Sequence, residues 1–233
     1  MLHHFAGKVC FLFAKKRQYL DPGACEDDMQ IATLWTWRHF WQNRAGNNTL
    51  FIKIDQAIGR MVQEPSAKSL AALIKKGKTP VIVASGWREH SLTVVFIGSL
   101  FFICNRGEQC SIQKKDLTAY RFTNKNISAS IVQKILSRSK ETVEEKSRFL
   151  FEELPPLLEG TKDGFCLDIE ANCQPQELNK PICTAANLRL AIRALLVSQQ
   201  GPDALALYKE YSRRARFSIL HQYLLHNKPH SYK

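Results

Sequence analysis

Hydrophobic and polar positions divide this chain into stretches of different period. Behind the acidic cluster Glu26-Asp27-Asp28, a largely aromatic stripe of Leu34, Trp37, His39, Phe40 and Trp41 recurs at helical spacing through residue 44. Carboxylates favour the positive end of a helix dipole, so a helix beginning near Cys25 is predicted. Helical spacing continues from Leu50 to Lys76 and breaks near Glu64-Pro65-Ser66, where proline suits a first turn; Lys75-Lys76-Gly77-Lys78 reads as a helix C-terminus. The pattern then turns β. Pro80 to Ser85, Ser91 to Ile97 and Leu100 to Cys104 are rich in Val, Ile, Phe and Thr and are separated by glycine-containing turns. An antiparallel meander is predicted, with Ala119 to Thr123 as a further strand.

Helical spacing returns at Ile127 to Ser137 and at Val143 to Leu154, where Pro155-Pro156 ends it. Residues 155 to 182 show little periodicity and read as a long connecting segment, which in a compact domain usually carries function. From Cys183 to about Ser198 the pattern is apolar almost all round, with Arg189 and Arg193 as a narrow polar stripe, and such a helix must be enclosed. Gly201-Pro202-Asp203 stops it and starts another, with Leu205, Tyr208, Tyr211, Ala215, Ile219 and Tyr223 at helical spacing. No internal repeat or low-complexity linker interrupts this order. The expected class is α+β: residues 1–79 a helical subdomain, residues 80–233 an α+β core with C-terminal helices, the two folding as one compact domain.

With 233 residues, 45% of them hydrophobic, the chain can bury a sizeable core. Its net charge of +12 suits an acidic partner, whether nucleic acid, an anionic surface or an acidic protein, and equally suits a merely solvated basic face. The seven cysteines are odd in number and irregularly spaced, which argues for a reducing compartment without disulfides. No Cys-x-x-Cys pair supports a zinc site, His221, His226 and His230 are weak metal candidates, and no cofactor is expected. The apolar patch Val9 to Ala14 lacks a cationic leader and a small-residue cleavage site, so it reads poorly as a signal peptide. No transmembrane segment is expected either, because the most apolar stretch, Leu92 to Cys104, is broken by Gly98-Ser99 and too short to span a bilayer.

The candidate chemistry lies in three separated places. Cys183 opens the buried helix, where unpaired backbone N–H groups and the dipole favour thiolate over thiol. His90 begins one strand and Asn105 follows the end of the next, so a hairpin through Gly98 would set them side by side, with Asn105 fixing the imidazole tautomer. Gln174 or Gln176, shortly before Cys183, would donate an amide N–H to an oxyanion alongside the backbone N–H of Cys183. A rival thiol, Cys25, follows Pro22-Gly23-Ala24 and opens the aromatic helix; its neighbours Glu26, Asp27 and Asp28 would disfavour its thiolate. The aromatic stripe reads as core packing rather than as a substrate or base-binding groove.

The order His90, Asn105, Gln, Cys183 resembles that of the adenoviral-protease and SUMO-protease superfamily. The phrases Ser85-Gly86-Trp87 to His90-Ser91, Cys104-Asn105-Arg106-Gly107, Ile182-Cys183-Thr184-Ala185-Ala186-Asn187 and Tyr208-Lys209 through Arg216 to Leu220, with Tyr223-Leu224, are similar to the cysteine-protease-like domains of type IV secretion effectors from intracellular bacterial pathogens. That resemblance covers roughly residues 80 to 225. It implies a papain-like cysteine protease fold, a small antiparallel sheet against a central buried helix, with a Cys183-His90-Asn105 triad. It also implies a protein delivered by a bacterium into the reducing interior of a host cell, with thiol-dependent hydrolase or acyl-transferase activity on a host protein. Thr184 in place of the usual glycine after the cysteine, and the irregular glutamine spacing, depart from the superfamily pattern. They motivate the alternative of a catalytically inactive protease-like module that binds a host protein or nucleic acid through a basic surface.

Overall fold

The computed structural model describes residues 26–42, 44, 48–63, 65–87, 90–105, 116–123, 127–137, 142–173 and 183–226, excepting the side chains of 26–29, 32, 183–185 and 216–226. The chain forms α1 (Glu26–Gln42), α2 (Thr49–Val62), α3 (Ala67–Lys76), β1 (Val81–Trp87), β2 (His90–Ile97), β3 (Leu100–Cys104) and β4 (Leu117–Arg121). Then follow α4 (Ala129–Leu136), α5 (Val143–Arg148), a π-helical turn (Phe149–Glu153), α6 (Leu154–Leu157), α7 (Gly164–Cys173), α8 (Cys183–Gln200) and α9 (Ala204–His226). Local chemistry fixes several boundaries. Asn48 and Ser66 cap α2 and α3 through side-chain oxygens, and Gly77 ends α3 in the left-handed conformation open to glycine.

The four strands form one antiparallel sheet in the order β1-β2-β3-β4, an α+β arrangement. Alternation sends Ile82, Val95, Ile97, Leu100, Phe102, Leu117 and Ala119 to one face, where α1, α2, α7, α8 and α9 cover them. Val81, Val83, Leu92, Val94, Phe96, Phe101 and Ile103 go to the other, under α3, α4 and the continuous α5–α6 segment. With both faces buried, the strands read as nearly unbroken apolar runs rather than as alternating ones. On the first face α8 is central: it packs on β2 and β3 and is flanked by α1, α7 and α9. Trp37 and Phe40 of α1, Phe51 of α2 and Tyr211 of α9 close around it as a set of edge-on and tilted rings, so Trp37 and Phe40 of the stripe are core, with Leu34 and Trp41 partly buried against it and His39 exposed.

Two sequence expectations need correction. Pro155-Pro156 does not end the helical run, because the π turn ahead of it interrupts the regular ladder and both prolines fall in the first turn of α6, where their missing N–H groups cost nothing. The segment 155–182 contains α7, whose buried face is Cys166, Ile169, Glu170 and Cys173. A carboxylate and two thiols on the inner face, with Phe165 and Leu167 exposed, hide its helical period. That carboxylate covers the β4 edge: Glu170 accepts the Ala119 N–H (2.9 Å) and pairs with Lys162 (2.7 Å).

Across the sheet, Lys146 is completely buried, and its ammonium donates to the carbonyls of Lys134, Ile135 (3.2 Å) and Ser137 (2.5 Å) at the C-terminus of α4. The cation thus sits at the negative end of a helix, supplying donors that the last turn of α4 lacks. Ser85 of β1 also donates to the Ile135 carbonyl (2.5 Å), tying this cap to the sheet. Replacing Lys146 by Met keeps the stem and strands the carbonyls, so Lys146→Met is expected to lower unfolding free energy by about 3 kcal/mol in urea titration. A loss below about 1 kcal/mol would mean that the ammonium is not a structural cap.

Candidate functional site

The site starts from a hairpin. β1 ends at Trp87 and β2 begins at His90, and the two residues face each other across the ladder, their rings stacked 4.6 Å apart at 23°. The hairpin depends on Gly86. Its φ is +146°, and a Cβ built there would lie 2.1 Å from the His90 carbonyl oxygen, so no other residue fits without moving the strand that carries His90.

The β2–β3 register, Thr93 opposite Cys104, brings Asn105 beside Leu92 and diagonal to His90 on the same face of the sheet. The backbone N–H of Asn105 is held by the Asp116 carbonyl (2.8 Å), which steadies the residue just past the strand end. His90 Nε2–H donates to Asn105 Oδ1 at 2.5 Å. An amide oxygen can only accept, so this contact calls for a proton on Nε2, which in the neutral ring is the tautomer with Nδ1 as the acceptor nitrogen. His90 is 6% exposed and Asn105 1%, so this bond is made out of bulk water beneath the Trp87 ring. Buried and hydrogen-bonded in this way, the imidazole is held in one orientation rather than lying on the surface.

The same corner meets α8. Asn187 is fully buried, and its Nδ2–H donates to the Ser91 carbonyl at 2.6 Å. The His90 carbonyl points at Gly86, toward β1, so the next carbonyl, that of Ser91, points to the opposite edge, where the β2–β3 ladder has already ended at Thr93 and Cys104. Asn187 therefore reaches β2 on its Asn105 side. Cys183, the first residue of α8, lies one turn before Asn187. By alternation His90 and Asn105 belong with Leu92, Ile103 and Trp87 to the face that α4 covers, not to the α8 face. Any contact between α8 and the imidazole must therefore go around the strand end.

Of the predicted site residues, His90 and Asn105 are brought together; α8 begins at Cys183; Cys25, Gln174 and Gln176 lie outside the described residues. Sequence reasoning missed the parts played by Gly86, Trp87 and Asn187. Asn187 had a signal: a short amide in an otherwise apolar stretch of α8, four positions after Cys183. Arg193, half of the polar stripe on α8, donates to the Asn172 carbonyl (2.6 Å) in the last turn of α7 and lies over the face of Tyr208. Among the described residues no cluster of His, Cys, Asp and Glu could hold a metal ion, and no helix is long and apolar enough to cross a membrane.

Three further thiols are placed in the core. Burial pushes Cys104 well above the usual thiol range, pushes Cys173 up to about 12, and raises Cys166. Burial thus disfavours the thiolate form of all three. Burial likewise pushes the Tyr211 hydroxyl up to about 12.

No protein-family model matches the chain, and no curated protein matches it in sequence. Among solved structures, the Legionella effector AnkH superposes with a TM-score of 0.65 at 18% identity, over 86% of this chain. The fold is similar to that of a bacterial effector. The chain spans 45% of the AnkH chain it matches, and at this identity the likeness concerns the fold alone.

The thiol environments lead to a direct expectation. Short exposure of the native protein to iodoacetamide at about pH 8 should leave Cys104, Cys166 and Cys173 unmodified by peptide mass spectrometry, with all three reacting in denaturant. Native modification of Cys104 or Cys173 at a rate comparable to the denatured protein would contradict their burial.

Proposed function

We propose that this chain is a bacterial effector module with cysteine-peptidase-like chemistry, a thiol-dependent hydrolase or acyl transferase acting on a host protein. The observation that carries the reading is the buried His90–Asn105 bond under Trp87, at the corner where Asn187 joins the first turns of α8 to β2. The likeness of fold to AnkH supports the effector setting. The papain-like assignment of the fold belongs to the same proposal.

In this reading Cys183 is the nucleophile. Its proton passes to Nδ1 of His90, which Asn105 keeps in the Nε2–H tautomer, and Asn105 orients the imidazolium that results. The thiolate attacks a carbonyl carbon; His90 returns the proton to the leaving group as the thioester forms. Water, or a second acceptor, then gives up a proton to His90 and releases the acyl group. In this reading the backbone N–H groups at the start of α8 would hold the oxyanion, with Gln174 or Gln176 as a further donor. Asn105 stabilises imidazolium less than a carboxylate would, yet a thiolate–imidazolium pair can work with an amide as orienter.

Strand alternation favours a second reading. With His90 and Asn105 on the face opposite α8, a helix start that fails to reach around the strand end would leave a protease-like module that only binds its partner through the corner or through a basic surface.

An electrophilic thiol probe separates these readings. In the native protein the probe is expected to label Cys183, with labelling lost in Cys183→Ala and reduced at least about tenfold in His90→Ala, the loss expected when a thiol's general base is removed. Labelling of Cys25 with the same His90 dependence would move the nucleophile to the segment before α1. Thiol labelling that ignores His90 altogether would leave the binding module as the function.

A further inference from the structure

Asn187 is a buried amide on a helix whose other inward positions, Ala186, Leu188, Leu190, Ala191, Ala194 and Leu195, are apolar. Burying an amide costs free energy unless it is hydrogen-bonded, and a helix that needed only to pack would carry Leu or Ala there. The amide is used: Nδ2–H donates to the Ser91 carbonyl at 2.6 Å, one residue from His90. It makes this contact past the end of the β2–β3 ladder, on the edge of β2 that carries Asn105. Asn105 and Asn187 thus converge on two successive residues of one strand, the first holding the His90 ring and the second holding the adjoining backbone.

From this juxtaposition we infer that Asn187 is a positioning residue that sets the separation between Cys183 and His90. The inference rests on the cysteine-peptidase-like reading above. Cys183 is four positions before Asn187, one turn of the same helix, so a bond from Asn187 to Ser91 fixes both the axial position and the rotation of the first turn of α8 relative to β2. Apolar packing alone resists such sliding weakly, because side chains of similar volume repack at small cost, whereas a hydrogen bond to one carbonyl is directional. Since His90 and Asn105 lie on the far face of the sheet by alternation, the thiol must meet the imidazole around the end of β2, and that geometry tolerates little axial drift. Asn187 touches no reacting atom; it acts through the placement of Cys183.

The test is the pH profile of Cys183 alkylation by iodoacetamide in the full folded chain, read at the Cys183 peptide by mass spectrometry. In the wild type, coupling to His90 should place the midpoint below that of an ordinary thiol, and His90→Ala should remove the depression. Asn187→Leu keeps the branched heavy-atom skeleton and deletes the donor. It should move the midpoint upward toward the His90→Ala profile while far-ultraviolet circular dichroism is unchanged. A midpoint higher by about one pH unit lowers the thiolate fraction near neutral pH about tenfold. A folded Asn187→Leu with the wild-type profile overturns the positioning role. If Asn187→Leu does not fold, Asn187→Gln decides, since it keeps the amide but moves it by one methylene: a displaced profile supports the inference and an unchanged one overturns it. A wild-type profile already identical to that of His90→Ala defeats the peptidase-like reading itself and this inference with it. A His90-dependent profile that Asn187→Leu leaves untouched defeats only the inference.

Discussion

An eighteen-residue helix with almost no polar face cannot stand against water, and enclosing α8 organises the rest of the molecule. One side of it is met by the sheet. The remaining circumference takes α1, α7 and α9, with Trp37, Phe40 and Tyr211 filling the gaps between helices. Because the sheet is pinned to α8 on one face, its other face still presents Val83, Val94, Phe96 and Phe101, and α3 to α6 form a second helical layer to bury them. The buried Lys146 ammonium and the Glu170 carboxylate belong to this enclosure: each satisfies backbone groups, at a helix end or a sheet edge, that the layers would otherwise shut away from water.

Enclosing α8 also sets where its first turns meet the sheet. The first turns of α8 meet β2 beyond the end of β3, where Asn187 bonds to the Ser91 carbonyl. There Gly86 lets two strands approach, Trp87 covers the imidazole, Asn105 fixes its tautomer and Asn187 joins the helix to the strand. Cys104, Cys166 and Cys173 lie in the core, where burial is the main cause that raises each thiol and disfavours its thiolate.

Much of this was legible in the residues, and the exceptions share a cause. Runs rich in Val, Ile, Phe and Thr, separated by glycine turns, marked the meander. The apolar run after Cys183 marked the central helix, and the acidic cluster before the aromatic stripe marked α1. The position of Asn105 after one strand and His90 at the start of the previous one was enough to bring them together. What stayed hidden were features whose partner is remote in sequence. The period of α7 is carried partly by Glu170 and two cysteines, which look polar until β4 and Lys162 are beside them. The π turn before Pro155-Pro156, the carbonyl that receives Arg193, and the face of the sheet on which His90 sits all depend on packing that a linear pattern does not contain.

Asn105 accepts from His90 Nε2–H, and in the proposed function this tautomer would leave Nδ1 as the base for the thiol. Ring nitrogen NMR of His90 in the neutral Cys183→Ala protein tests this most directly, with the resonance assigned by its absence in His90→Gln. A single tautomer protonated on Nε2 is predicted, giving way to a mixture when Asn105→Ala is added. A ring protonated on Nδ1, or a tautomer unaffected by Asn105→Ala, would contradict it.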